Sequence, residues 1–239
     1  MSNLQDLVIE IHGGSRWNGY RHIQADMSIV GLLWARKGWP EVLKSVRVEA
    51  DIPGQQLRYK PFTAQGLRSF YRPDIVAIER ADDGTRLQER ANPRISFEGH
   101  TPTTPWDALQ LAYFSGYAMW NYLNAPFMFA LPGFVAEEVE PWNENGESWR
   151  RLKVTFPDSV PTHSSVQVFY VGSDGLMTRM DYVADVAGGI PTAHYMSDYF
   201  DFDGIKIPTK RRAYRRNEDN TPTASGPGVS IDISNVKFS

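Results

Sequence analysis

The residues of this sequence that could do chemistry cluster in one β-like stretch, AHYMSDYFDFDGIKIPTKRR, at positions 193–212. If Asp203–Gly204 forms a hairpin turn, the alternation of side chains places His194, Asp198 and Arg211 on one face. An Arg–Asp pair beside a histidine in an apolar cavity can hold an anion or move a proton, because burial shifts the pKa values of ionisable groups. The same residues could equally brace the sheet, so the pattern leaves a functional site and a structural ion pair open.

The rest of this hairpin separates into an apolar tip and a charged face. In the predicted register Phe200 lies opposite Ile207, and Met196 lies opposite Arg211. The other face carries cross-strand pairs of the weak kind found in solvent: Asp201 with Lys206, Ser197 with Lys210 and Tyr195 with Arg212. The inward face therefore begins apolar at the tip and becomes polar further along the strands.

A second hairpin, with its turn at Ser173–Asp174, adds polar residues to the same interior. Its predicted register pairs Phe169 with Thr178, Gln167 with Met180, Ser165 with Tyr182 and His163 with Ala184. We take this face as the inside because its second strand is the more apolar, although Val166, Val168 and Tyr170 on the first strand favour the other face. The predicted catalytic residues are therefore His194, Arg211, Asp198, His163 and Tyr182, and the predicted ligand contacts include Gln167, Met180, Met196 and Phe200.

A central helix is predicted in TTPWDALQLAYFSGYAMWNYL, at 103–123, with Thr104 as its N-cap and Pro105 at the first helical position. Apolar residues cover both of its sides, which is typical of a helix buried on most faces. It could lie inside a curved sheet or pack on a flat one. Its aromatic residues and the apolar segment that follows, Ala125 to Ala136, supply further predicted ligand contacts: Tyr113, Tyr117, Trp120 and Phe127.

The remainder of the chain reads as short strands separated by turns. Residues 2–12 are typical of a short helix closed by Gly13–Gly14, and strand-like segments then run to about residue 98. The second half continues with seven antiparallel strands, from FVAEEVEPW to VSIDISNVKF. A meander of this length must curl or close. The fold class is therefore mainly β with a few helices: a curled antiparallel sheet or open half-barrel, with the central helix plugging its concave side, in one domain over 1–239.

Composition and motifs exclude several classes of function. The net charge of −3 favours neither nucleic acid nor an anionic membrane, and the absence of cysteine excludes thiolate chemistry. The five histidines show no metal-ligand spacing, so neither a metal nor a cofactor is predicted. The first residues, MSNLQDLVIEIHGG, do not resemble a signal peptide, and no apolar run is long enough for a membrane span, so we expect a cytoplasmic protein. The oligomeric state stays open.

Several segments together resemble the LolA-like lipoprotein-carrier superfamily: HGGSRWNGYRHIQADM, the central helix followed by PFMFALPGF, and GLMTRMDYVADVAGGIPTAHYMSDYFDFDGIKIPTKRRAY. The resemblance implies an open antiparallel half-barrel of about eleven strands, with helices plugging its mouth. Members of the superfamily are mostly periplasmic or cell-surface carriers of lipids. This sequence lacks their signal peptide and lipidated cysteine, so the resemblance implies a lipid-like pocket more than lipoprotein transport. A closer likeness, to cytosolic bacterial proteins with a WNYLxxPF…PGF…EPW pattern, implies no activity.

Three functions fit these observations. A binding protein would enclose a hydrophobic or lipid-like small molecule in an aromatic-lined cavity. A cofactor-independent lyase, isomerase or cyclase would use His194 or His163 as acid or base, Arg211 to hold an oxyanion or carboxylate, and Tyr182 with Gln167 as hydrogen-bond donors. A protein-interaction module would expose Trp142 and Trp149 and enclose no cavity.

Overall fold

A computed structural model describes residues 3–239, which form thirteen β-strands and three α-helices. The helices are α1 (Leu4–His12), α2 (Leu32–Arg36) and α3 (Ala108–Asn124). The strands of the first half are β1 (His22–Val30), β2 (Val46–Asp51), β3 (Gln56–Lys60), β4 (Leu67–Arg72), β5 (Ile75–Arg80) and β6 (Arg86–Ala91). Those of the second half are β7 (Val135–Glu144), β8 (Glu147–Thr155), β9 (Val166–Val171), β10 (Met177–Ala184), β11 (Ile190–Phe202), β12 (Ile205–Arg215) and β13 (Val229–Phe238).

All thirteen strands belong to one antiparallel sheet, in the order β6-β5-β4-β3-β2-β1-β13-β12-β11-β10-β9-β8-β7. The last strand is inserted between β1 and β12, and so it joins two meanders into a single surface. Strands β6 and β7 form the two ends, so the sheet is curled but does not close. The predicted fold class is confirmed, with thirteen strands rather than about eleven. The basic run from Lys206 to Arg216, whose pattern predicts a solvated sheet edge, lies mostly in strand β12 inside the sheet.

Helix α3 runs along the concave side of this sheet and is buried on every face from Leu109 to Asn124. The curved-sheet alternative is therefore the correct one. Its N-cap is Asp107 rather than Thr104, because the Asp107 and Gln110 side chains each accept a hydrogen bond from the other's backbone N–H. Gly116 lets the helix approach β4 closely, since a Cβ there would come within 2.5 Å of the Tyr71 side chain.

The pattern of residues 20–37, YRHIQADMSIVGLLWARK, predicts one long strand, but Gly31 divides this segment. This glycine has φ 136°, and a Cβ there would meet the Gly228 carbonyl oxygen at 2.3 Å. The chain therefore turns after β1 and forms α2 against the segment that leads into β13, where the Leu33 amide donates to the same carbonyl. Helix α2 was missed because a close approach between residues 31 and 228 leaves no local pattern.

The register of the β11–β12 hairpin is as predicted, with Phe200 opposite Ile207, Met196 opposite Arg211 and His194 opposite Ala213. The β9–β10 register is two residues away from the prediction, so that Phe169 lies opposite Met180. The connection is longer than a two-residue turn, and a bulge between Met177 and Arg179 adds another residue. A shift of two preserves the faces, and the predicted inward residues Gln167, Met180 and Tyr182 are buried.

Candidate functional site

A cavity of about 190 Å³, called the main cavity below, lies between α3 and the strands in the middle of the sheet. Helix α3 contributes Phe114, Ala118, Met119 and Tyr122, and α2 contributes Leu33, Trp34 and Arg36. Strand residues of the lining include Ile29, Tyr59, Tyr182, His194 and Ile231. Most of these side chains are apolar, as expected of a small-molecule site.

Three buried ionisable side chains of the main cavity lie together where α3 meets β10 and β11. The Tyr182 hydroxyl is 3.1 Å from the Tyr122 hydroxyl and 3.4 Å from Nδ1 of His194. The other ring nitrogen of His194, Nε2, is buried and has no hydrogen-bond partner among residues 3–239. We call these three residues the polar floor. The only other buried ionisable side chain in the described lining of the main cavity is that of Tyr59 on β3.

The polar floor continues away from the cavity as a hydrogen-bonded chain. Tyr122 Oη is 2.8 Å from Nε2 of His163, and Nδ1 of His163 is 3.0 Å from the Tyr117 hydroxyl. The His163 ring also stacks on Tyr182, with ring centroids 4.1 Å apart. Two predicted histidines are therefore connected by tyrosines of α3 and β10, without any carboxylate in the chain.

Burial keeps both histidines neutral at neutral pH. Desolvation, with a smaller contribution from the charge of Arg94, lowers the pKa of His163 to about 3. Desolvation also lowers the pKa of His194 well below its usual value, and the positive charge of Arg211 acts in the same direction. A neutral imidazole donates one hydrogen bond and accepts one, so each ring can relay hydrogen bonds within the chain.

Arg211 is fully buried and has no salt-bridge partner among residues 3–239. Its Nη2 donates to the Tyr122 carbonyl oxygen at 2.9 Å, and its guanidinium lies 4.9 Å from the centre of the Tyr122 ring. Within the described part of the chain, its Nε and Nη1 atoms have no hydrogen-bond partner. Burial lowers the pKa of Arg211 from the usual value, although the group stays protonated. An unpaired buried guanidinium is unfavourable for folding.

The predicted pair between Arg211 and Asp198 does not form. Asp198 has φ 54°, in the left-handed region that aspartate tolerates, and its side chain is 50% exposed beside Lys210. This backbone conformation breaks the in–out alternation of β11, so Tyr199 turns inward and donates to the Met177 carbonyl oxygen. Phe200, predicted as a ligand contact, is instead 60% exposed. Alternation alone could not locate this break.

A smaller void, about 10 Å³ in volume, lies on the other side of Tyr122. Its lining includes five predicted site residues: His163, Gln167, Met180, Met196 and Arg211. Among residues 3–239, no hydrogen-bond partner reaches the side-chain oxygens of Gln167 and Asn121 or two nitrogens of Arg211. A void of this size accepts about one water-sized molecule.

The other predicted ligand contacts are buried but do not line the main cavity. Tyr113 packs against Tyr71 and Phe97, and Trp120 donates to the Asp51 carbonyl oxygen. Phe127 stacks on Trp17, and the Tyr117 hydroxyl is held by His163. Helical spacing identified α3 as a buried helix, but it could not show which of its sides packs tightly and which faces the cavity.

Sequence reasoning missed a second buried polar cluster, on the outer face of the sheet. Arg179 is fully buried there, and all of its donor groups are used: Asp181 accepts from Nε and Nη2, Glu144 and the Tyr195 hydroxyl accept from Nη1, and the Asn220 carbonyl accepts from Nη2. We call this set the Arg179 cluster. An alternating strand with Arg and Asp on one face predicts solvent exposure, and nothing local indicates that other segments cover that face.

The tryptophans expected to be exposed in an interaction module are not. Trp149 is buried and Trp142 is half-buried, and both contact Tyr170 of the outer face. Within residues 3–239, no three histidine or carboxylate side chains are grouped as a metal would require, and no helix is both long and apolar enough to cross a bilayer.

No family model matches the chain, and no curated protein matches it in sequence. Among solved structures, a LolA superfamily protein from Nitrosomonas europaea is similar over 99% of this chain and 92% of its own, with a TM-score of 0.52 and 11% identity. The fold is LolA-like. A DUF1329 family protein from Desulfovibrio piger matches the same LolA-like fold over 98% of this chain and 91% of its own, with a TM-score of 0.52 and 16% identity. At such identities the likeness concerns the fold alone.

Proposed function

We propose that the protein binds a hydrophobic or amphiphilic small molecule in the main cavity. The supporting observation is the cavity itself, which lies between α2, α3 and the sheet and is lined mostly by apolar side chains. Burial of apolar ligand surface at about 25 cal/mol per Å² would supply the affinity. The LolA-like fold supports the same proposal, because its resemblance implies a pocket for lipid-like molecules.

The volume of the main cavity restricts the size of the ligand. At about 190 Å³ it exceeds the roughly 150 Å³ cavity that is known to admit benzene. It is smaller than the roughly 300 Å³ at which drug-sized pockets begin. A ligand with one short chain or one ring fits this conformation, whereas a lipid with several acyl chains requires the helices to move away from the sheet.

The test is to denature the purified protein, extract it and identify bound small molecules by mass spectrometry. We expect a single-chain or single-ring apolar molecule, recovered in proportion to protein. Ala118→Phe, which places a ring in the cavity, should remove the molecule, and Ala91→Phe on the exposed strand β6 should retain it. An empty extract from wild type, together with no heat of binding for octanol, would contradict the proposal.

A second candidate is cofactor-independent acid–base catalysis, and the unpartnered Nε2 of His194 at the cavity wall is the observation that favours it. The depressed pKa of His194 makes it a weak base. Binding is therefore the proposal we favour. Turnover of a carbonyl compound that is lost in His194→Gln, with its binding retained, would support catalysis instead.

A further inference from the structure

The unpaired charge of Arg211 indicates which class of ligand the main cavity accepts. A guanidinium removed from water needs an anion and several hydrogen bonds to offset its lost hydration. The chain supplies one carbonyl and one aromatic face. We propose, building on the binding function above, that the ligand is an apolar chain ending in one carboxylate, and that this carboxylate lies against His194 at the polar floor, next to Arg211.

The hydrogen-bonded chain of tyrosines and histidines supports this placement. If each hydroxyl donates toward the cavity, Tyr117 donates to Nδ1 of His163, whose Nε2–H donates to Tyr122. Tyr122 then donates to Tyr182, and Tyr182 donates to Nδ1 of His194. The reverse direction leaves the buried Tyr117 proton without an acceptor. The favoured direction therefore leaves His194, which lines the cavity, with an unpartnered Nε2–H that a carboxylate oxygen would accept.

Arg211 contributes a positive charge from its position behind the polar floor. It lies on β12 diagonal to His194 on β11, on the same face of the sheet, and its guanidinium packs on the Tyr122 ring. A carboxylate at His194 is thus placed beside an unpaired positive charge in buried surroundings. Coulomb attraction is strongest in such surroundings.

The mouth of the cavity offers a competing position for an acidic group. Arg36 and Arg215 line the cavity and are exposed to solvent. Exposed charges are hydrated and screened by salt, so they contribute little to affinity. The two positions can be separated by experiment because Arg211 is buried, whereas Arg36 and Arg215 are exposed and can be changed without altering the buried charge.

The experiment is calorimetric titration of the purified protein with octanoic acid and with octanol at neutral pH. We expect wild type to bind octanoate at least about tenfold more tightly than octanol. Arg211→Met should reduce this preference to about threefold or less while leaving octanol affinity unchanged. Arg211→Lys, which keeps the charge, should restore most of the preference. Arg72→Met, at an exposed position away from the cavity, is the matched control and should behave as wild type.

Each contrary result has a distinct meaning. Octanol binding with no preference for octanoate overturns the carboxylate proposal and leaves the binding function standing, and this comparison needs only wild-type protein. Loss of the preference in Arg36→Gln/Arg215→Gln, with its retention in Arg211→Met, overturns the placement at the polar floor. If neither compound binds and extraction yields no apolar molecule, the binding function fails together with the proposal.

Discussion

The protein contains two fully buried arginines near each other in the sheet, and their surroundings are opposite in kind. Arg179, on β10, points to the outer face and is surrounded by Asp181, Glu144 and three further acceptor or aromatic groups. Arg211, on β12, points to the helix side, where its one hydrogen bond is to a carbonyl. Asp181 and Glu144 neutralise the charge of Arg179, whereas none of the described residues supplies an anion to Arg211.

The two arginines differ in whether groups of the protein offset the loss of hydration of the buried guanidinium. Hydrogen bonds and the negative charge of Asp181 outweigh the desolvation of Arg179 and raise its pKa, whereas desolvation is the largest effect on Arg211 and lowers its pKa. A completed cluster fixes segments to one another. An incomplete charge beside a cavity lowers stability and favours a ligand that brings the missing anion.

The largest expected effect is a loss of folding stability at acidic pH, caused by three buried histidines. Desolvation lowers the pKa values of His12 to about 4 and His163 to about 3, and that of His194 well below normal. Because the unfolded chain binds these protons first, stability is complete above about pH 6.5 and falls as the pH decreases toward the folded-state values. At about pH 5, His12 and His163 should each cost about 2 kcal/mol, and His194 adds a loss of the same sign.

Urea unfolding between pH 7 and 5 measures this loss. His163→Phe should reduce the pH dependence by about a third, whereas His22→Ala, at an exposed position, should not change it. A stability that stays flat over this range would show that the buried histidines are accessible to protons in the folded protein.

The next largest effect should come from Arg179→Met. This change leaves Glu144 without an ion-pair partner among residues 3–239 and leaves Asp181 with Arg216 alone, 3.7 Å away. Removing one partner of a buried pair typically costs about 3–5 kcal/mol. Chemical unfolding at neutral pH measures the loss. A cost below about 1 kcal/mol would mean that water reaches the Arg179 cluster, and the contrast with Arg211 would disappear.

Arg211→Met, unlike Arg179→Met, should not lower the free energy of unfolding. Replacing an unpaired buried guanidinium by an apolar side chain of similar length should leave stability unchanged or raise it by about 1–4 kcal/mol. The same unfolding experiment, made without ligand, measures the difference. Destabilisation comparable to that of Arg179→Met would show that Arg211 is a structural residue, and would break the comparison.

The smallest effect is expected for Phe200→Ser. Its side chain is 60% exposed and packs only against Phe202 among the aromatic residues. The change in unfolding free energy should stay within about 0.5 kcal/mol, and octanol should bind as to wild type. A loss of binding would place the hairpin tip near the ligand, as its sequence first indicated.

Much of the fold and part of the site could be predicted because they follow from local patterns. Alternation defined the seven strands of the second half, and Asp203–Gly204 fixed the register that places His194 and Arg211 on one face. Tyr182, Gln167 and Met180 were assigned to the correct face although their register was two residues off, since a shift of two does not exchange faces. The break at Asp198 was not predicted because aspartate is only permitted, and not required, to adopt positive φ.

The sequence by itself determined which segments become strands, that α3 is buried, and which side of most strands is apolar. Only the tertiary structure decided that β13 inserts between β1 and β12, that Asp181 and Glu144 converge on Arg179, and that no acid among residues 3–239 forms an ion pair with Arg211. The physical reason is the separation along the chain over which each interaction acts. Strand pattern and turn chemistry act over a few residues, whereas the pairing of a buried charge depends on segments far apart in the chain.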